Sequence, residues 1–190
     1  MTLIAYYTTP ENFIWHFKPQ KFLIFLCIAL VLLPLQTSFE EYLFRGNLMQ
    51  GLALVTKSRL VALLIPAVLF GLMHMANPEV GKIGPIIMIY YIGTGLFLGI
   101  LTLMDDGLEL ALGFHAANNL VGALLVTADW TAFQTHSIFK DVSEPSGGFE
   151  IILPIFIIFP LLLLLFSKIY KWDNWKQRLL GTINTNQTNI

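Results

Sequence analysis

Charged residues are scarce in this chain. Only 12% of its 190 residues are Asp, Glu, Lys or Arg, whereas about 25% is usual in a soluble domain. At the same time, 56% of the residues are hydrophobic. Because so few polar side chains could not cover the surface of a water-soluble fold, lipid must form part of the solvent. The composition therefore predicts an integral membrane protein that contacts membrane lipids.

Other absences narrow the function. The net charge of −1 shows no basic excess, so we expect no nucleic-acid partner. The single cysteine, Cys27, cannot form an internal disulfide, and it lies in an apolar run where it suits a core or lipid-facing position. The sequence also lacks the HExxH signature of helical zinc peptidases. We find no internal repeat of the kind that many transporters contain.

Five apolar segments are long enough to approach the ~20 residues that cross a hydrocarbon core. The first is too long for one straight span, and we expect Pro34 to kink or divide it. The fold class predicted is therefore all-α, a polytopic transmembrane helix bundle with about five spans. The segments run approximately over residues 22–55, 60–75, 85–104, 108–128 and 151–169.

The segments divide the chain into three regions. Residues 1–21 read as an N-terminal interfacial segment, residues 22–171 as the transmembrane domain, and residues 172–190 as a polar C-terminal tail. The connections are short except for residues 129–150, which contain Pro-Ser-Gly-Gly and are predicted to form an exposed loop.

Glycines mark one helix contact. Gly95 and Gly99 stand at GxxxG spacing in the third segment, with Gly93 nearby. Small residues at this spacing let two membrane helices approach closely, so we predict such a contact and no chemical role for these glycines.

The first polar cluster inside the apolar segments is Glu40, Glu41 and Arg45. A charged side chain inside a membrane span costs at least ~2.5–3.5 kcal/mol, so each is a candidate for function. Glu41 and Arg45 are four residues apart, which predicts an ion pair on one helical face. Glu40 points about 100° away and is left for chemistry. The alternative is one buried charge network of all three residues that holds helices together.

Two further clusters contain histidine. His74 ends the stretch Phe70-Gly-Leu-Met-His74, and a lone histidine of this kind is more often a core residue than a catalyst. His115 and Asn119 are four residues apart and share a helical face. Counted along straight helices, Glu40 and His74 both lie ~23 Å from the turn between the first two segments. His115 lies only ~13 Å from the same membrane face, a mismatch of ~10 Å that requires helix tilt or a second span that begins deeper.

Together these residues resemble a known family. In chain order they match the three motifs of the CAAX-protease and bacteriocin-processing (CPBP) intramembrane proteases, which include the type II CAAX prenyl endopeptidases. The resemblance covers about Leu33 to Val126, and family members usually have more membrane helices than the five predicted here. The matching motifs are Glu40-Glu41-x-x-x-Arg45, Phe70-x-x-x-His74 and His115-x-x-x-Asn119.

The resemblance implies an intramembrane endopeptidase of prokaryotic cell membranes that acts on membrane-associated peptides or proteins. Glu40 and His74 would hold and deprotonate a water molecule, and His115 and Asn119 would donate hydrogen bonds to the oxyanion. The remaining motif residues, Glu41, Arg45 and Phe70, would support this set. Glu41 and Arg45 would do so by fixing the rotamer of Glu40 through their ion pair.

Several alternatives remain open at this point. Glu40, His74 and His115 form an acceptable ligand set for a catalytic zinc ion, so the cofactor is either zinc or none. A non-catalytic bacteriocin-immunity or regulatory protein could keep the same fold. A small transporter would also explain buried Glu, His and Arg side chains.

Overall fold

The structure, a computed structural model, describes the backbone of residues 2–183 and the side chains of residues 5–148 and 151–183. It is mostly helical, as predicted. The helices are α1 (Thr2–Thr8), α2 (Pro19–Glu41), α3 (Met49–Thr56), α4 (Arg59–Leu72), α5 (Pro78–Ile83), α6 (Ile87–Asp105), α7 (Glu109–Leu125), α8 (Phe149–Leu153), α9 (Phe159–Ile169) and α10 (Trp175–Leu180).

The first apolar segment forms one continuous helix. Helix α2 passes through wide π-helical turns at Tyr42–Leu48 and continues directly into α3. The predicted division at Pro34 is wrong, because this proline lies inside α2. Helices α8 and α9 are joined in the same way by π-helical turns at Pro154–Ile158. Two of the predicted segments are therefore long helices that contain a locally wider turn.

Three helical segments in the described part of the chain are long and apolar enough to cross a membrane. They are Pro19–Thr56, Ile87–Asp105 and Ile151–Ile169. The other two predicted spans are helical but shorter, since α4 has 14 residues and α7 has 17. Helix α4 ends before His74, and α7 gives way to a strand after Leu125. The helical membrane architecture is thus as predicted, with three candidate spans by length and composition rather than five.

A small sheet departs from the all-α prediction. Strands β1 (Phe13–Trp15), β2 (Val126–Ala128) and β3 (Phe139–Asp141) form it, with β3 in the centre, antiparallel to β1 and parallel to β2. Strand β3 lies within residues 129–150, so the prediction of one exposed loop there was wrong. Strands of three residues are too short to show the alternating pattern that identifies a strand in sequence.

The end of the described chain packs against the helices. Trp172 is only 9% exposed and belongs to the largest hydrophobic core cluster. Arg178 of α10 donates a hydrogen bond to Met104 O at 3.1 Å and pairs with Asp106 at the turn between α6 and α7. Part of the predicted polar tail, residues 172–190, is therefore folded onto the bundle. Residues 184–190 of that tail, and residue 1 of the predicted N-terminal segment, lie outside the described residues.

Helices α4 and α6 meet through glycine, as predicted. A Cβ atom added to Gly95 would lie 2.7 Å from the carbonyl oxygen of Ala67, and one added to Gly99 would lie 2.7 Å from Leu63 Cδ1. Distances this short exclude a side chain at either position without movement of the partner. The contact brings the backbone of α4 against α6 and sets the position of Phe70, one turn beyond Ala67.

We expect the substitution Gly95→Ala to destabilise the fold. Its methyl group would overlap the α4 backbone, and overpacking of this kind costs about 1–3 kcal/mol. Gly51→Ala is the matched control, since that helical glycine has nothing within 4 Å of an added Cβ. Thermal unfolding in detergent should show a lower melting temperature for Gly95→Ala alone. Equal melting temperatures for the two variants would contradict the close contact.

Candidate active site

A buried ion pair lies at the base of the site. Arg45 Nη1 donates to Glu41 Oε1 at 2.9 Å, and both side chains are 0% exposed. The second terminal nitrogen, Nη2, donates to Gly95 O at 2.8 Å. The guanidinium carbon also lies 4.6 Å from the centre of the Phe70 ring, which is a cation–π contact. The predicted Glu41–Arg45 pair is confirmed, and Arg45 joins the long first helix to both α4 and α6.

His115 reaches this pair from α7. Its Nδ1 lies 2.7 Å from Glu41 Oε1, and its Nε2 lies 3.8 Å from Glu40 Oε2. Since an ionised carboxylate only accepts, Nδ1 carries the hydrogen of this contact. His115 and Glu40 therefore meet, despite the difference of ~10 Å in depth that the residue count gave. The count assumed helices that run straight along the membrane normal, and an inclined helix gains less depth per residue.

Glu40 is held at the edge of a cavity. Its side chain is 11% exposed, and its Oε1 accepts a hydrogen bond from the side-chain amide of Gln36. Sequence reasoning missed Gln36, although its position four residues before Glu40 is the spacing at which helical side chains meet. Glu40 therefore has one oxygen bound to Gln36 and the other facing His115.

His74 lies just beyond the C-terminus of α4, in a turn. Its Nδ1 is 2.8 Å from Phe70 O. Because a carbonyl oxygen only accepts, Nδ1 is the donor and the lone pair of the neutral ring is on Nε2. The His74 ring stacks on Tyr91 of α6, with the ring centres 4.4 Å apart and an interplanar angle of 19°. The histidine is thus held by its own helix end and by a neighbouring ring.

The four predicted catalytic residues line one cavity of about 680 Å³. Glu41 and Arg45 are not part of its lining and lie behind Glu40 and His115. Asn119 is partly exposed, and its Oδ1 accepts a hydrogen bond from Asn118 Nδ2 at 3.4 Å. The structure therefore brings all three motifs to one place. The polar part of the lining includes Glu40, His74, His115, Asn119, Gln36 and Asn118.

The predicted zinc ligands do not form a three-ligand set. Within the described residues, no group of three or more His, Cys, Asp and Glu side chains is placed to hold a metal ion. The hydrogen bonds at Nδ1 of His115 and of His74 leave both Nε2 atoms free, as in many metal sites, so the misfit rests on the placement of the three side chains alone. The set of Glu40, His74 and His115 therefore does not fit a metal in this geometry, and no chemical step is assigned to one.

The sequence matches a defined protein family over this region. Residues 19–121, more than half of the chain, match the family described as "Type II CAAX prenyl endopeptidase Rce1-like". The chain belongs to this family. The match begins with α2 and ends within α7, so all three motifs of the Rce1-like family lie inside it. The resemblance inferred from the motifs is thereby confirmed.

A curated bacterial relative is also similar. The chain is 36% identical over 126 residues to the "Uncharacterized protein YyaK" of Bacillus subtilis (strain 168), an alignment that covers 66% of this chain and 42% of YyaK. The chain thus spans less than half the length of the curated relative that it matches. No solved structure matches this chain.

Two cavity residues without a motif complete the site. Glu79 and Tyr91 line the same cavity, and the Tyr91 hydroxyl donates to Glu79 Oε1 at 2.6 Å. Glu79 stands in the polar stretch between two apolar segments, where a glutamate is ordinarily exposed. No sequence signal distinguishes it, because its burial arises only when α5 folds back against α6.

Loss of Arg45 should destabilise the protein strongly. We expect Arg45→Met to cost about 3–5 kcal/mol, because it leaves the Glu41 carboxylate buried without its partner. The double variant Glu41→Gln/Arg45→Met should recover part of this loss. The control is Lys140→Ala, which breaks the Lys140–Asp129 pair at the surface, whose side chains are 25% and 79% exposed, and which should cost about 0–1 kcal/mol.

Unfolding in mixed micelles, followed by circular dichroism, measures these free energies. Similar values for Arg45→Met and Lys140→Ala would show that the buried pair does not support the fold.

Proposed function

We propose that this protein is an intramembrane endopeptidase that hydrolyses peptide bonds of membrane-associated substrates. Membership of the Rce1-like family supports the class of reaction. The observation that carries the proposal is the convergence of Glu40, His74, His115 and Asn119 on one cavity. These four side chains come from three helical regions, and together they supply the base and the donors that peptide hydrolysis needs.

Glu40 is the proposed general base. Its Oε2 lies 3.8 Å from His115 Nε2, which is too far for a direct hydrogen bond but allows one water molecule to contact both atoms. Glu40 takes a proton from this water as the oxygen attacks the carbonyl carbon, and then delivers it to the leaving amine. His74 lines the same cavity and would hold the water, whose O–H donates to the lone pair of Nε2.

His115 and Asn119 are the proposed oxyanion donors. They share one face of α7, and the side-chain amide of Asn119 supplies N–H groups. The Nδ1 hydrogen of His115 is directed to Glu41. Donation to the oxyanion from Nε2 therefore requires the protonated ring. On this basis we propose that Glu41 and Arg45 orient His115. The family resemblance had implied instead that they fix the rotamer of Glu40.

The substrate is proposed to enter from the membrane or its surface. The first long helix, which carries Glu40, exposes many large apolar side chains, including Leu35, Phe39 and Leu43, which are 62%, 69% and 42% exposed. Such a surface suits lipid and an apolar or membrane-anchored peptide. We therefore propose membrane lipids and a membrane-associated peptide or protein as the partners, in a prokaryotic cell membrane.

The decisive variant is Glu40→Gln. It keeps the size of the side chain and removes the base, so we expect cleavage to fall by ~10²- to 10⁴-fold. Peptides in the membrane fraction of a strain that carries Glu40→Gln are compared by mass spectrometry with those of the wild type. Peptides that disappear in the variant are cleavage products, and the uncleaved precursors of these peptides are then tested as substrates of the purified enzyme in liposomes. The matched control is Glu109→Gln, which alters an exposed glutamate at the start of α7.

Other outcomes would point elsewhere. Full activity of purified Glu40→Gln would make the assignment wrong. Ion flux that depends on Glu40 without any cleaved peptide would indicate a transporter. Partner binding that is unchanged in Glu40→Gln, again without cleavage, would indicate a non-catalytic member of the family.

Treatment with a chelator distinguishes the metal-free mechanism from a zinc-dependent one. Since the described residues form no three-ligand set, we expect activity to survive dialysis against a strong chelator. The metal content of the same sample is measured by mass spectrometry before and after treatment. Loss of activity that zinc restores would overturn the metal-free mechanism and leave the peptidase assignment in place.

A further inference from the structure

Glu79 is a buried carboxylate outside the three motifs. It is 8% exposed and lies in the first turn of α5. One oxygen, Oε1, accepts hydrogen bonds from Tyr91 Oη at 2.6 Å and from Asn77 Nδ2 at 3.4 Å. The other oxygen, Oε2, accepts from the backbone N–H of Ala132 at 3.0 Å. A buried carboxylate needs such partners, so Glu79 draws three separate segments together.

The bond from Tyr91 to Glu79 fixes the ring on which His74 stacks. The two rings lie nearly parallel, with their centres 4.4 Å apart. Asn77 also links the two regions, since its backbone N–H donates to His74 O at 3.0 Å and its Nδ2 lies 3.3 Å from Tyr91 Oη. His74 has no regular helix around it, because α4 ends at Leu72. Its orientation therefore depends on Phe70, through the carbonyl and through a ring centred 5.1 Å from that of His74, and on Tyr91.

We propose that Glu79 is a positioning residue that orients His74 through Tyr91. The proposal rests on the peptidase function proposed above. The second oxygen of Glu79 extends the same effect to Ala132, whose segment lines the catalytic cavity. The carboxylate of Glu79 thus sets both the plane of the His74 ring and the position of the segment around Ala132 that lines the cavity.

The chemical reason is geometric. A misplacement of about 1 Å at a catalytic group can cost ~10²-fold in rate. The hydroxyl of Tyr91 prevents its ring from sliding along His74, and Glu79 is the acceptor that receives this hydroxyl. Loss of either partner releases the His74 ring without removing any atom that contacts the reacting bond.

Four variants test the proposal. Tyr91→Phe removes only the hydroxyl, and Glu79→Leu removes both acceptors while it fills the space. We expect each to lower kcat by ~10- to 100-fold with KM changed less than about twofold. The double variant should be no worse than Glu79→Leu, because both changes break one linkage. Glu79→Gln should recover most of the activity, since its amide oxygen still accepts from Tyr91.

Tyr170→Phe is the matched control, because this tyrosine is 49% exposed at the end of α9. Thermal unfolding of each variant shows whether it folds. Should Glu79→Leu fail to fold, Tyr91→Phe still decides the question. An unchanged kcat in Tyr91→Phe, or a change confined to KM, would overturn the proposal.

Nitrogen NMR of histidine-labelled protein in micelles gives a readout independent of activity. The His74 signals are identified by their loss in His74→Ala. We expect Tyr91→Phe to shift these signals and to leave those of His115 unchanged. If the wild-type protein cleaves nothing, the peptidase function fails, and the NMR result alone decides the positioning role. Unshifted His74 signals in Tyr91→Phe would then overturn it.

Discussion

The buried pair of Glu41 and Arg45 is the interaction on which the rest of the site depends. Two charges without water are unfavourable unless nearly every polar atom finds a partner. Arg45 meets part of this need by reaching Glu41, Gly95 O and the face of Phe70, whereas Arg45 Nε and Glu41 Oε2 are buried without a hydrogen-bond partner. Glu41 then also engages His115 on α7. The requirement to satisfy one buried guanidinium and one buried carboxylate thus gathers all three family motifs, and the cavity forms where they meet.

The close packing of α4 against α6 and the position of Arg45 both involve Gly95. Arg45 reaches Gly95 O because the missing side chain lets α4 and α6 pack backbone to backbone. Phe70, one turn beyond Ala67 in α4, then lies against the guanidinium of Arg45. A glycine for which we predict no chemical role therefore helps to position Arg45 and Phe70. Residues of this kind are easily taken for simple packing positions.

The sequence predicted local relations better than long-range ones. The ion pair of Glu41 and Arg45 followed from their spacing on one helix, and the glycine contact followed from a period of four. The contact of His115 with both glutamates did not follow, because helix inclination is set by packing that a residue count ignores. The three-residue strands gave no periodic signal. Glu79 was missed because its burial depends on how α5 folds back against α6, which no local pattern records.

The wide turns at Tyr42–Leu48 accommodate one additional residue within a short part of the first long helix. In such turns each backbone bond spans five residues instead of four, so one more residue is accommodated than in a regular α-helix. Removal of a single residue there would restore regular turns, and α3 would keep nearly the same orientation relative to α2 because the wide turns already absorb that residue. The side chains inside the turns, which include the buried Phe44 and Arg45, would change direction instead. The wide turns therefore confine the effect of one additional residue to the part of the helix that carries Arg45.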